Sequence, residues 1–239
     1  MQAEGLTESE ALNVIADWTG NGSSVQATDR GEKIEYALSH WQEAVPIAGT
    51  IAERYLSETR GVDVSRMPAN ISDSLRFHPN CVFGPERHPC LLALMRDPID
   101  DTPIGIQRIG LARDDGRIIK LKRMALGCIG AVKLWPANGQ LTVGEGLETV
   151  LSACTRLSYG GASLIPAWAL ISSGNLAVLP VLPDVQRITV LVDHDLNGEG
   201  QVAAERLERA WRAANRTVLQ LLPDNPGDDF NDIVLRGRL

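Results

Sequence analysis

Apolar and polar positions divide the chain into two regimes. Between Leu75 and Trp135, the apolar segments LRFH, CLLALM, IGIQRIGLA, RIIKLK and AVKLW are separated by the turn signals DPIDDTP, DDG and LGCIG. Short apolar runs bounded by Gly, Pro and Asp predict a small, mostly antiparallel sheet. After PANGQ the pattern changes, and LTVGEG, AWALISS, RITVLVD and TVLQLLP read as strands that alternate with helices. LETVLSACTRLS has Leu147, Val150, Leu151 and Cys154 at helical spacing, and GQVAAERLERAWRAAN brings Ala203, Leu207, Ala210, Trp211 and Ala214 to one face. Such alternation predicts a parallel sheet covered by helices on both sides.

Upstream, Ile34 to about Arg60 carries a helical pattern interrupted near Pro46, with Ile51, Tyr55 and Leu56 sharing one face. ESEALNVIADW is a further helical stretch, and the Gly, Ser and Thr of TGNGSSVQATDRGEK read as a linker. The expected organisation is a helical segment and linker over 1–36, a smaller α+β subdomain with a basic strand over 37–138, and an α/β domain over 139–239. No internal repeat is visible.

Composition narrows the class. At 239 residues, 44% hydrophobic and 22% charged, the chain has room for one large domain or two smaller ones with a real core. Nothing near Met1 combines a basic stretch, an apolar run and a small-residue cleavage site, and no apolar stretch approaches the roughly 20 residues of a membrane span, so a cytoplasmic protein is expected. Four cysteines, Cys81, Cys90, Cys128 and Cys154, form no CxxC pair and point to reduced thiols. A net charge of −7 argues against a general nucleic-acid coat and leaves room for a local basic patch.

In an open parallel α/β sheet, ligands sit beyond the carboxyl ends of the strands. Acids cluster at three such ends: Glu145 and Glu148, then Asp193 and Asp195, then Asp228, Asp229 and Asp232. Taken singly, each cluster has a plainer reading: a turn or cap for DHDLNG, acids suiting a helix N-terminus for GEGLE, a solvated loop for GDDFND. DHDLNG also opens like an EF-hand loop, but Glu199 comes too early to close one. Together they indicate a divalent cation, because gathered carboxylates repel one another and are costly to bury unpaired. On an extended backbone Asp193 and Asp195 point to the same side, and His194 points away as a packing or surface residue.

LTVGEGLETVLSA, ITVLVDHDLNGEGQVAAERL and GDDFNDIV resemble the motifs of the Toprim domain, shared by bacterial-type primases, type IA and type II topoisomerases, OLD-family nucleases and RecR-type repair proteins. EGLET and DFND, with the upstream LRFHP, HPCLLALM and GAVKLW, are similar to primase-like Toprim proteins of phages, plasmids and mobile elements, from about Ile47 to Leu235. The resemblance implies a Rossmann-like, mainly parallel sheet with helices on both faces, preceded by a smaller α+β subdomain. It implies Glu145 as general acid/base or metal-linked carboxylate, Asp193 and Asp195 as ligands of Mg²⁺ or Mn²⁺, Asp229 as a further acid, and Glu148 and Asp232 as additional acidic candidates. Gly146 is expected to permit a tight strand-to-helix turn. The implied activity is a primase-like nucleotidyltransferase making short primers on single-stranded DNA. A Toprim nuclease and a weakly catalytic nucleic-acid-binding module of a replication or mobile-element complex are the alternatives.

The chemistry also needs cations. Arg117, Lys120, Lys122, Arg123 and Lys133 fall in RIIKLKRMALGCIGAVK, which contains no acid. This resembles the basic segment with which primases contact the template and the incoming nucleoside triphosphate; a solvated strand face is the alternative. On a regular strand Lys120 and Lys122 share a face while Leu121 turns to the core. Full primases carry a zinc-binding module, and many are fused to a helicase, so a helicase or a separate zinc-binding module is an expected partner. His78, Cys81, His88 and Cys90 offer N and S donors but match no zinc-ribbon spacing.

Overall fold

The computed structural model describes residues 24–237. The helical stretch ESEALNVIADW and the start of the expected linker lie outside the described residues. The rest of that linker is helical: α1 spans Ser24–Glu43. Ala37 and Trp41, four apart, are buried against Ile106 and Leu92 of the first sheet. That packing outweighs Gly31, which costs about 1 kcal/mol relative to Ala inside a helix. After β1 (Val45–Pro46), the Thr50 hydroxyl accepts a hydrogen bond from Ala52 N and caps α2 (Ile51–Arg54), which continues as a π-helical turn over Tyr55–Thr59. Tyr55 and Leu56 are fully buried, as their spacing predicts.

The first sheet is antiparallel and runs in chain order: β1, β2 (Leu75–Phe83), β3 (Glu86–Arg96), β4 (Pro103–Asp114) and β5 (Arg117–Gly127). Asp115 and Gly116 both have positive φ, 45° and 78°, the conformation that closes a tight hairpin between twisted strands. β5 is irregular. Arg123 lies opposite Ile109 and Lys120 opposite Leu111, so residues 120–123 face 109–111 and β5 carries an extra residue, a bulge at Leu121 and Lys122.

Of AVKLW only Ala131 pairs with this sheet, in a single antiparallel bridge to Arg96 of β3. β6 (Val132–Lys133) crosses into the second one, after Gly127 at φ 81° turns the chain and Gly130 passes the Arg96 carbonyl so closely that a Cβ would lie 2.4 Å from its oxygen. The second sheet also contains β7 (Gln140–Gly144), β10 (Ala167–Ala169), β11 (Arg187–Leu191) and β12 (Thr217–Leu221), in the order β12-β11-β7-β10-β6. Its members are parallel except β6 at the edge. A small hairpin, β8 (Ser158–Tyr159) with β9 (Ala162–Ser163), precedes β10.

Helices cover both faces. α3 (Leu147–Arg156) and Phe230 of α6 (Phe230–Arg236) pack with Ala167, Ala169 and Leu191, while α4 (Ser173–Ala177) and α5 (Glu199–Ala213) pack with Trp168, Ile188 and Val190. The α3 face belongs to a core that also holds Tyr55, Leu56, Leu75 and Ile109, so one apolar interior joins the two sheets. From β7 the chain steps to β10 on one side and then to β11 and β12 on the other. The crevice at this reversal, beyond the ends of β7 and β11, is where a doubly wound sheet offers a ligand site. Among the described residues, no helix is long and apolar enough to cross a membrane.

Candidate active site

The acids are delivered by backbone geometry. Gly144, the last residue of β7, lets α3 approach: a Cβ there would lie 2.7 Å from Val150 Cγ2. Glu145 therefore leaves the strand directly beside the helix start. Beyond β11, His194 N donates to the Asp228 carbonyl and Gly227 N to the His194 carbonyl, stitching the loops after β11 and β12 together. The His194 ring turns away, with Nδ1 2.7 Å from the Pro223 carbonyl oxygen. Gly200 leaves room for the Asp195 carboxylate, whose Oδ2 would sit 3.3 Å from a Cβ at that position.

Asp229 caps α6. Its Oδ1 accepts from Asp232 N at 2.9 Å and Asp232 Oδ2 accepts from Asp229 N at 3.0 Å, a reciprocal capping box. Its other oxygen accepts from the Thr149 hydroxyl at 3.1 Å. Asp228 instead pairs with Arg236, at 3.0 and 2.5 Å.

Glu145, Asp193, Asp195, Asp229 and Asp232 all line one cavity of about 260 Å³. Burial pushes the Glu145 carboxyl above its usual range; Arg123 opposes the shift, and Asp195 and Glu199 add to it. Asp193 is pushed up to about 7, first by burial and then by Asp229, Glu145 and Asp195. Its Oδ1 is buried with no hydrogen-bond partner among the described residues. A partly buried carboxylate with an unsatisfied oxygen and three acidic neighbours fits a hard divalent cation, which takes oxygen ligands. Among the described residues no three His, Cys, Asp or Glu side chains are already gathered closely enough to clasp an ion.

Gly146 also lines the cavity, for a different reason from the one expected. Its φ of −82° is open to any residue, so the turn does not require glycine. Space is tight there: a Cβ would lie 3.0 Å from Thr149 Oγ1, closer than ordinary contact, and 3.8 Å from an Arg123 guanidinium nitrogen.

The basic segment is split. Lys120 and Arg123 line the cavity, and Lys122 does not. The bulge is the cause, because one extra residue shifts the alternation so that 120 and 123 come to the same side. Leu121 is 37% exposed and does not turn to the core. Lys133 is also elsewhere: its ammonium pairs with Asp101 at 3.0 Å and stands 4.6 Å from the Trp168 ring centroid.

Two residues have roles that pattern reading does not reveal. Arg60, at the end of the π turn, lines the cavity. Glu148, counted among the acids, is 4% exposed and its Oε1 accepts from Tyr55 Oη at 2.8 Å, Lys120 Nζ at 3.0 Å and Arg60 Nη2 at 3.2 Å. Nothing local signals these contacts, whose partners lie 93, 28 and 88 residues away.

The N and S donors of β2 and β3 are otherwise engaged. His78 Nε2 is 3.1 Å from Glu43 Oε2, His88 Nε2 is 2.8 Å from Glu86 Oε2, and Cys81 and Cys90 are buried free thiols.

Residues 140–238 match a family model described as a Toprim domain, and residues 31–133 match one described as a domain of unknown function, DUF7146. No curated protein and no solved structure matches the chain.

Proposed function

The chain carries a Toprim domain in residues 140–238, and on that premise we propose that it is a primase-like nucleotidyltransferase, joining nucleotides on a single-stranded DNA template. Toprim domains bind divalent metals such as Mg²⁺ through acidic residues and act on nucleic acid. The observation that carries the finer reading is the meeting of opposite charges in one cavity: carboxylates from three strand ends and the cations Arg60, Lys120 and Arg123 of the preceding unit line it together.

In this reading Asp193 and Asp195, with Glu145 and Asp229 beside them, hold Mg²⁺ or Mn²⁺. The metal supplies charge stabilisation for the attacking and leaving oxygens of phosphoryl transfer. Glu145, made more basic by burial, takes up the proton that a 3′-hydroxyl loses as its oxygen bonds to the α-phosphorus of the incoming triphosphate and the α–β phosphoanhydride bond breaks, releasing pyrophosphate. Lys120 and Arg123 hold the phosphates, the arginine fork suiting bidentate contact and the ammonium acting as a point charge. A triphosphate gives such a wall more to bind than a single scissile phosphodiester does, which favours synthesis over cleavage. A helicase or a separate zinc-binding module would supply template delivery.

Incubating the purified chain with labelled nucleoside triphosphates, single-stranded DNA and Mn²⁺ tests this. Template-dependent extension products are expected. Shortened DNA without extension would replace the proposal with a nuclease, and binding without either product would replace it with a binding module.

A further inference from the structure

We propose that Glu148 is a positioning residue and not a metal ligand: its carboxylate fastens Lys120 and Arg60 to the cavity wall, where their remaining donors receive the phosphates of a nucleic-acid substrate. The inference rests on the reading that this cavity takes phosphodiesters or triphosphates.

The geometry assigns the role. Glu148 stands in the first turn of α3, and all three donors to its Oε1 come from the unit that precedes the Toprim domain. Arg60 is held from further sides, with Nε donating to Tyr55 Oη at 2.9 Å, Nη1 to Asn231 Oδ1 at 3.1 Å, and its carbonyl accepting from Asn231 Nδ2. Asn231 is 2% exposed and lies two positions after Asp229, so the network runs from the basic side chains to the helix that Asp229 caps. Lys120 uses one of its three N–H donors on Glu148, and Arg60 uses three of its five in all. Donors therefore remain for an anion, on side chains whose freedom is already restricted.

The same contacts disqualify Glu148 as a ligand. A divalent ion there would meet an ammonium and a guanidinium at about 3 Å from the same oxygen, and like charges at that range repel strongly. One carboxylate shared by two cations leaves the trio net positive, and Arg123 adds a further charge on the same cavity. Burial opposes the charged form of Glu148, but Lys120, Arg60 and the Tyr55 hydroxyl outweigh it and hold the carboxyl below its usual range, the opposite of Asp193.

Charge counting and positioning predict opposite signs for Glu148→Gln. Removing a negative charge from a phosphate-facing wall tightens anion binding if Glu148 acts only through its charge; it weakens binding if Glu148 holds the cations in place. The full chain is titrated with fluorescent oligo(dT) in EDTA across salt concentrations, and separately with Mn²⁺ alone by calorimetry. Glu148→Gln is expected to weaken oligonucleotide binding about tenfold, the scale of one charge-assisted contact, and to lower the salt slope by about 0.7. Its Mn²⁺ affinity should stay within about twofold of wild type, whereas Asp193→Asn loses it. Unchanged or tighter oligonucleotide binding, or Mn²⁺ loss matching Asp193→Asn, overturns the role. Failure of the wild-type chain to bind oligo(dT) instead overturns the substrate reading itself. Should Glu148→Gln not fold, Tyr55→Phe removes one donor from the same oxygen and is expected to weaken binding in the same direction by about threefold; no change in that variant overturns the proposal equally.

Discussion

Asp193 is held near 7 by burial and by three acidic neighbours, well above its ordinary 3.8. A carboxyl whose folded value is raised contributes stability that is complete below its unfolded value and is lost as pH rises through the folded value. The metal-free chain is therefore expected to melt at a lower temperature at pH 8 than at pH 5.5, by roughly 5 °C, and Asp193→Asn should flatten most of that difference. Mn²⁺ should erase it too, because the cation replaces the proton and releases it to solvent. Thermal melts of both proteins across this range, with EDTA and with Mn²⁺, check the sign. Glu145 makes a separate prediction. Glu145→Gln keeps the shape and removes the proposed base, so turnover should fall by at least about 10²-fold while oligonucleotide affinity stays close to wild type. Retained activity would assign the proton transfer elsewhere.

At the scale of elements, the bulge in β5 decides which cations serve the cavity. Lys120 and Arg123 come to it from either side of the bulge, and Lys122 faces solvent. Lys120→Ala with Arg123→Ala should lower the salt slope of single-strand binding by about 1.4, two contacts at about 0.7 each, while Lys122→Ala leaves the slope unchanged. A titration series in which Lys122→Ala has the larger effect would mean that the bulge does not govern the groove. The approach of β7 to α3 makes a second test. Gly144→Ala places a methyl 2.7 Å from Val150 Cγ2 and 3.3 Å from Leu191 Cβ, so denaturant unfolding should show a loss of about 1–3 kcal/mol by overpacking.

For the whole molecule, the shared core is the governing fact. Residues of both units, Leu56 and Ile109 with Val150 and Leu151 among them, lie in one cluster, and the Glu148 network crosses the same seam. Unfolding should accordingly be a single transition, in which tryptophan fluorescence, reporting on Trp41 in one unit and Trp211 in the other, coincides with far-ultraviolet dichroism. Two separated transitions would show the units to be energetically independent. Mn²⁺ at about 100 times its dissociation constant should shift the one transition by about 2.7 kcal/mol, although the proposed ligands all lie within residues 145–229.

The sequence by itself determined whatever a local period or a short motif can encode. The four parallel strands, the amphipathic helices on their two faces, the hairpins closed by DPIDDTP and DDG, and the three acidic groups at strand ends are each written within a few consecutive residues, because side-chain alternation and turn chemistry are properties of the local backbone. Only the tertiary structure decided the rest. SVQATDRGEK reads as a linker until a sheet is there to bury Ala37 and Trp41. AVKLW has a strand's composition, but which sheet it joins depends on close passage at Gly130. Regular alternation groups Lys120 with Lys122, and an extra residue facing β4 regroups it with Arg123. Glu148 has the residue type of a metal ligand, and what it does is set by Tyr55, Arg60 and Lys120, brought to it from 93, 88 and 28 residues away. A carboxylate's role depends on the charges that face it, and those are fixed only when the chain has closed on itself.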